Sequence, residues 1–356
     1  KSEKINKLIE KYTSEIIAEI EKSLTGDPRK DGPFLKDQAE KYKNSENSTE
    51  INRELARLLY EISKKDYESS LYNYLDSENQ KVNEQIENAR KRFDNRNYSG
   101  GIKILEEIIR NNLPAWNDTS EFTYKSFGTP LEYLLYTKLY EPEKEVKSVN
   151  CNLAGVYWMY CHGLMKKGRY DEALAAIERA AELNPVDPDV YLQYAELMKL
   201  RKNPEGIKFA CDKLLQCAVT KEQIGRAYFN YSYYFSEIND PIKAAALLEM
   251  CGIFYKPDLY ESELQYISNC LGMGSLPPKH TSSELMSLMT EEKIQPGPSV
   301  NVIQAAYFLA KRSEEQLEFK NAKYYYEIVW ELTEDDNIND HIQELTSTIK
   351  DLKEFK

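Results

Sequence analysis

The 34 residues that separate Tyr157 from Tyr191 constrain this chain more than any other feature of its sequence. Tyr157, Tyr160, Cys161 and Leu164 set out a large, large, small, large order, and Tyr191, Tyr194, Ala195 and Met198 repeat it in register. Gly168, Tyr170, Ala173, Ile177, Ala180 and Pro185 follow the first set; Pro204, Ile207, Cys211 and Leu214 follow the second. A third copy starts 37 residues after Tyr191, with Tyr228, Tyr231, Ser232 and Phe235, then Ala244, Leu248 and Cys251. In each copy the order reads as one helix, a turn and a second helix, and such a unit buries its apolar face by stacking on its neighbours. Two antiparallel helices approach closely only where small side chains face each other, here Cys161 against Ala173. Tyr157, Leu164 and Ile177 then fill the volume around that contact. Gly168 suits the turn, and Pro185 follows the end of the second helix.

This order resembles the tetratricopeptide repeat, with Tyr157 where that family usually has Trp and Cys161 where it has Gly. The resemblance implies an all-α fold, a right-handed α-α superhelix with irregular N-terminal helices and a C-terminal capping helix. Three repeats are expected within 154–258, at 154–187, 188–221 and 225–258. Ala306, Leu309, Ala310, Phe319, Ala322, Tyr326 and Val329 give a further copy at 303–336. Within 51–150, Asn97–Leu113 ("NYSGGIKILEEIIRNNL") and Asp66–Ser77 ("DYESSLYNYLDS") read as second helices of two degenerate copies. Their tyrosines, Tyr67 and Tyr98, lie 31 residues apart.

Residues 1–50 read as a helical segment: an amphipathic helix to about Ser23, the turn-rich "LTGDPRKDGPF", and a shorter polar helix before "NSENST". Ser48 or Thr49 then caps a helix with Ile51, Leu55, Leu58, Leu59 and Ile62 on one face. Between Leu113 and Asn150 an irregular helix pair is expected, bordered by Pro130 and Pro142. From 259 to 300 the pattern lapses into an irregular insertion holding a short helix from Ser282 to Glu292, which reads as a connector or as a lid. Ile338, Ile342, Leu345, Ile349 and Leu352 form one stripe of a helix that caps the stack at 338–356.

Forty-seven basic residues against 59 acidic leave a net charge of −12, which argues against a nucleic-acid partner, since phosphate binding needs clustered Lys and Arg. No apolar run is long enough to insert in a membrane. The opening "KSEKINKLIEKYTSEIIAEIEK" does not resemble a signal peptide, although a start at Lys1 leaves a removed leader open. Six cysteines without CxxC pairs read as reduced thiols of a cytoplasmic protein. No cofactor or metal is expected: the three histidines are far apart, no HExxH, GxGxxG or GxxxxGK[ST] occurs, and no Cys/His spacing suits zinc. Cys161 and His162 are helix neighbours about 100° apart, a poor thiol–base pair. No enzymatic activity is expected.

By the family's geometry, the first helices line a concave groove. Its candidate residues are Trp158, His162 and Met165, then Gln193, then Arg226, Phe229, Asn230 and Tyr233, and in the late copy Tyr307 and Phe308. A subset of the family clamps acidic C-terminal tails with Lys, Asn and Arg. Here Trp158 and His162 stand in the places of Lys and Asn, Gln193 in that of Asn, and Asn230 in that of a basic residue; only Arg226 fits. The resemblance therefore points to a protein or peptide partner with an apolar or amphipathic segment, held by aromatic anchors on a non-catalytic scaffold. The alternative is a ligand- or peptide-responsive regulator with an N-terminal helical effector, although no helix-turn-helix for DNA is visible.

Overall fold

The computed structural model describes residues 13–45, 47–48, 51–52, 54–55, 58, 70–112, 118–149, 151–272 and 279–354. These form two compact units. One draws on the first 80 residues together with 307–327 and 337–356, the other on 81–306 with 328–336.

In the first unit, residues 13–22 are helical and α1 spans Pro28–Tyr42. The expected turn-rich stretch is thus largely helix. Its turn is confined to 23–27, where the Asp31 carboxylate accepts from the Thr25 and Gly26 N–H groups, each at 2.8 Å. Ile16, Ile17, Ile20, Leu35, Ala39, Ile51, Leu55 and Leu58 bury a common core. Thr49, Leu59 and Ile62 of the expected helix lie outside the described residues.

The second unit begins at Lys81, within α2 (Ser70–Asp94), and continues with α3 (Tyr98–Asn112). Ser70–Ser77 was expected as part of a second helix. Instead it runs on to Asp94, because no Gly or Pro interrupts it, and the chain turns only at Arg96; Tyr67 lies outside the described residues. Three further hairpins follow: α5 (Leu153–Lys166) with α6 (Tyr170–Leu183), α7 (Pro188–Leu200) with α8 (Pro204–Cys217), and α9 (Lys221–Glu237) with α10 (Pro241–Phe254).

One turn geometry recurs. Arg96, Gly168, Lys202 and Asn239 all take a left-handed conformation, φ 57°, 71°, 52° and 61°. In each case the next N–H returns to a carbonyl five residues back: Asn97 to Arg92, Arg169 to Leu164, Asn203 to Met198 and Asp240 to Phe235, at 2.8–3.0 Å. The same turn at Leu317 joins α13 (Val300–Glu315) to α14 (Phe319–Thr333). A fixed turn fixes where the two helices touch. Seven residues before it stand Ala89, Cys161, Ala195, Ser232 and Ala310, all fully buried. Five residues after it stand Gly101, Ala173, Ile207, Ala244 and Ala322, all buried. Only Ile207 is large. Ser232 Oγ donates across this contact to the Ala244 carbonyl at 2.8 Å. Between hairpins, α5 meets α2 and α3 at Gly163, where an added Cβ would fall 2.6 Å from Phe93 Cζ of α2 and 3.0 Å from Ile102 Cγ1 of α3.

Between α3 and α5 the expected helix pair is one helix and two strands. Strands β1 (Phe122–Lys125) and β2 (Glu145–Ser148) pair in parallel, Phe122 opposite Glu145, around α4 (Pro130–Tyr140). Pro130 sits in the first turn behind the Thr129 cap, and Glu141 turns left-handed before Pro142, so both prolines do border a helix. Phe122, Thr123 and Tyr124 suit a strand. The segment docks on the α5–α6 hairpin by polar bonds. Ser126 N–H donates to Leu183 O at 2.9 Å, and Glu132 accepts from Asn184 Nδ2 at 2.8 Å.

The interval 259–300 is also more regular than expected, holding α11 (Tyr260–Cys270) and α12 (Ser282–Glu291). Residues 294–299 are fastened to the stack. Tyr228 OH donates to Gln295 O at 2.8 Å and accepts from Gly297 N–H at 2.6 Å, while Gln295 Nε2 reaches Leu215 O at 2.9 Å. The last helix, α15 (Asp336–Glu354), buries Ile342 and Leu345. Its His341 stands edge-on to Tyr326 in the first unit, ring centroids 4.9 Å apart, and meets Glu314 at 3.1 Å.

Candidate functional site

The first helices of the second unit, α5, α7 and α9, each carry a row of side chains that the core does not consume. On α5 these are Trp158, His162 and Met165, all half-buried. The Trp158 indole N–H donates to Asp189 O in the first turn of α7 at 3.1 Å. Gln193 Nε2 donates back to Trp158 O at 2.8 Å, so two reciprocal bonds tie α5 to α7. Trp158 and His162 stack at 6.4 Å, and Phe93 lies 6.2 Å from the imidazole. Burial, with the charge of Lys166, lowers the His162 pKa, so at neutral pH the imidazole is uncharged and extends the aromatic wall.

Two expected groove residues point elsewhere. Gln193 is buried and its amide is spent on the link to α5. Asn230 is only 2% exposed. On α9, Arg226, Phe229 and Tyr233 lie at i, i+3 and i+7, on one face; Asn230 follows Phe229 by one residue, about 100° around, and that turns it into the stack. Met159 is buried for the same reason.

Phe229 and Tyr233 remain half-buried, with Lys199 of α7 between them. Its Nζ lies 5.6 Å from the Phe229 ring centre and 5.3 Å from that of Tyr233, and pairs with Glu196 at 2.8 Å. Arg226 is exposed and faces Glu222 at 3.6 Å. Helix α11 adds residues that sequence reasoning missed. Glu263 accepts from Ser236 Oγ at 3.4 Å, and Tyr266 is 53% exposed beside it. The signal was present in Leu264, Ile267 and Leu271 at helical spacing, but the Gly and Pro residues that follow obscured it.

Tyr307 and Phe308 belong to the first unit and form a separate aromatic face on α13, 41% and 51% exposed. Tyr307 meets Tyr326 edge-on at 6.0 Å.

Burial pushes the Cys161 thiol up to about 12 and the Cys251 thiol up to about 12, so neither is the thiolate that attacks. A hollow of about 410 Å³ lies where β1 and α4 meet α6. Its charges are matched internally: Arg179 pairs with Glu182 at 2.8 Å, Lys125 Nζ donates to Glu182 O at 2.7 Å, and Asp118 accepts from Thr123 and Tyr124. Among the described residues, no group of three His, Cys, Asp or Glu side chains could hold a metal, and no helix is long and apolar enough to cross a membrane.

The tetratricopeptide repeat family model matches residues 154–197, which cover α5, α6 and most of α7. Among solved structures the chain is similar to a tetratricopeptide repeat protein from Parabacteroides merdae ATCC 43184, at 12% identity over 75% of this chain and 99% of that one. The TM-score of 0.31 is too low for that superposition to bear on the argument. No curated protein matches. The small-residue contacts and the shared turn agree with the family match, and residues 154–197 form a tetratricopeptide-repeat segment.

Proposed function

We propose that this chain is a non-catalytic scaffold that binds a peptide segment of a partner protein on the face formed by α5, α7 and α9. One observation carries the reading: α9 has two aromatic faces and its core uses one. Tyr228 and Tyr231 are completely buried, whereas Phe229 and Tyr233 stay half-exposed around Lys199. Aromatic rings left on a face with few rotors to freeze are efficient anchors for a partner. Trp158 extends the row on α5. Six free cysteines, four of them buried, fit a reducing compartment and support a cytoplasmic location.

The test is binding of the full chain to a random-sequence peptide array, alongside the Phe229→Ala/Tyr233→Ala variant. The variant must first keep the wild-type helical circular-dichroism melt. Peptides held by the wild type and lost by the variant support the face; equal retention by both removes it.

A further inference from the structure

The exposed stripe of α9 is bounded by carboxylates. Glu222, Arg226, Phe229, Tyr233 and Glu237 share one helical face; α7 adds Glu196 and α11 adds Glu263. Two cations stand against these four acids, and each is already paired, Lys199 with Glu196 and Arg226 with Glu222. Glu237 and Glu263 have no ion pair among the described residues. Tyr233 and Glu237 stand at i and i+4 on α9, Glu263 and Tyr266 at i and i+3 on α11, and the Ser236 Oγ bond to Glu263 at 3.4 Å brings the two pairs together. Burial raises the Glu263 pKa, and the pull of Lys199 does not reverse it.

We propose that this strip takes a basic segment of the partner, with an Arg or Lys side chain laid over Tyr233 and Tyr266 and held between Glu237 and Glu263. The assignment rests on reading this face as a peptide site. An acidic segment would meet four carboxylates. A purely apolar one would cover Glu237 and Glu263 with no cation opposite them, leaving only the hydrogen bonds from Tyr233 and Ser236, which is costly for charged groups. A guanidinium satisfies both demands, because its plane stacks on a ring while its edge bonds a carboxylate. The chain's net charge of −12 draws such a segment in from solution.

The experiment uses the full chain and the same array of acetylated, amidated peptides. The tightest binders are resynthesised with each Arg or Lys changed to Gln and titrated calorimetrically. Binders should be enriched in Arg and Lys, and one change to Gln should weaken binding roughly tenfold or more. The chain variant Glu237→Gln/Glu263→Gln, isosteric and checked by its melt, should bind the Arg and Gln peptides alike; Glu263→Gln alone should lose part of the discrimination. Binders without basic enrichment, or a preference that survives the double variant, overturn the proposal. Binding that depends on Phe229 and Tyr233 but ignores peptide charge overturns the basic segment and leaves the peptide site standing. Binding indifferent to Phe229 and Tyr233, or an array without binders, overturns both.

Discussion

In the hairpins of 153–254 the contacts that fix the structure are small and uncharged, whereas the strand–helix–strand segment of 118–149 is fastened through carboxylates and amides. The first region relies on Cys161, Ala173, Ala195, Ser232 and Ala244, which let helix backbones close together. The second relies on Glu132, which accepts from Gly128 N–H at 2.6 Å and from Asn184, and on Lys125 bonded to Glu182 O. Size specifies a repeat that must stack many times in one way. Directional polar bonds specify an element that docks once, at one place.

This contrast can be broken by substitution. Ser232→Leu should cost the most, about 3 kcal/mol, because the larger side chain forces α9 and α10 apart and removes the bond to Ala244. Ser232→Ala keeps the size and should cost no more than about 1 kcal/mol. Equal losses in urea unfolding would mean that polarity, not size, governs the hairpin.

The next effect is smaller and depends on pH. Asp187 caps α7, its Oδ1 accepting from Asp189 N–H at 2.9 Å. Burial first, then the charge of Glu132, pushes its carboxyl up to about 7. The unfolded chain releases that proton near pH 4, so between about pH 4 and 7 the folded state holds a proton the unfolded state has lost. Stability from this group is present below pH 4 and declines as pH rises to 7. Asp187→Asn keeps a good cap and removes the titration. Its advantage over wild type should be small near pH 4 and grow to about 2 kcal/mol above pH 7. An advantage that does not change with pH would place the Asp187 carboxyl outside this buried pair.

The smallest effect lies in the turns. Lys202 takes φ 52°, a conformation that favours glycine. Lys202→Gly should raise stability by about 0.5–1 kcal/mol in thermal melts. A loss instead would show that the lysine side chain contributes more than its backbone strain costs.

The hairpins could be read from the sequence because their determinants recur: a small residue seven before the turn and another five after. The turn itself announced its geometry only at Gly168, since Arg96, Lys202, Asn239 and Leu317 adopt it without being glycine. Four-residue strands have no periodicity to detect, so β1 and β2 stayed hidden, and α11 was lost beside "CLGMGSLPP". On the candidate face the phase of a helix decided what was legible. Phe229 and Tyr233 stand where their spacing puts them, whereas Asn230, one position on, is inside. Gln193 needed the neighbouring helix, because its partner, the Trp158 carbonyl, is 35 residues away.

The reciprocal bonds between Trp158 and α7 give the stack a gauge. The indole that a guest would touch is also a strut between two repeats. A guest that tilts the ring also loads the bond to Asp189, and therefore the angle at which one hairpin follows the other. By reciprocity, bending the stack alters how well the ring receives a guest. Curvature and affinity at this position are then two readings of one quantity.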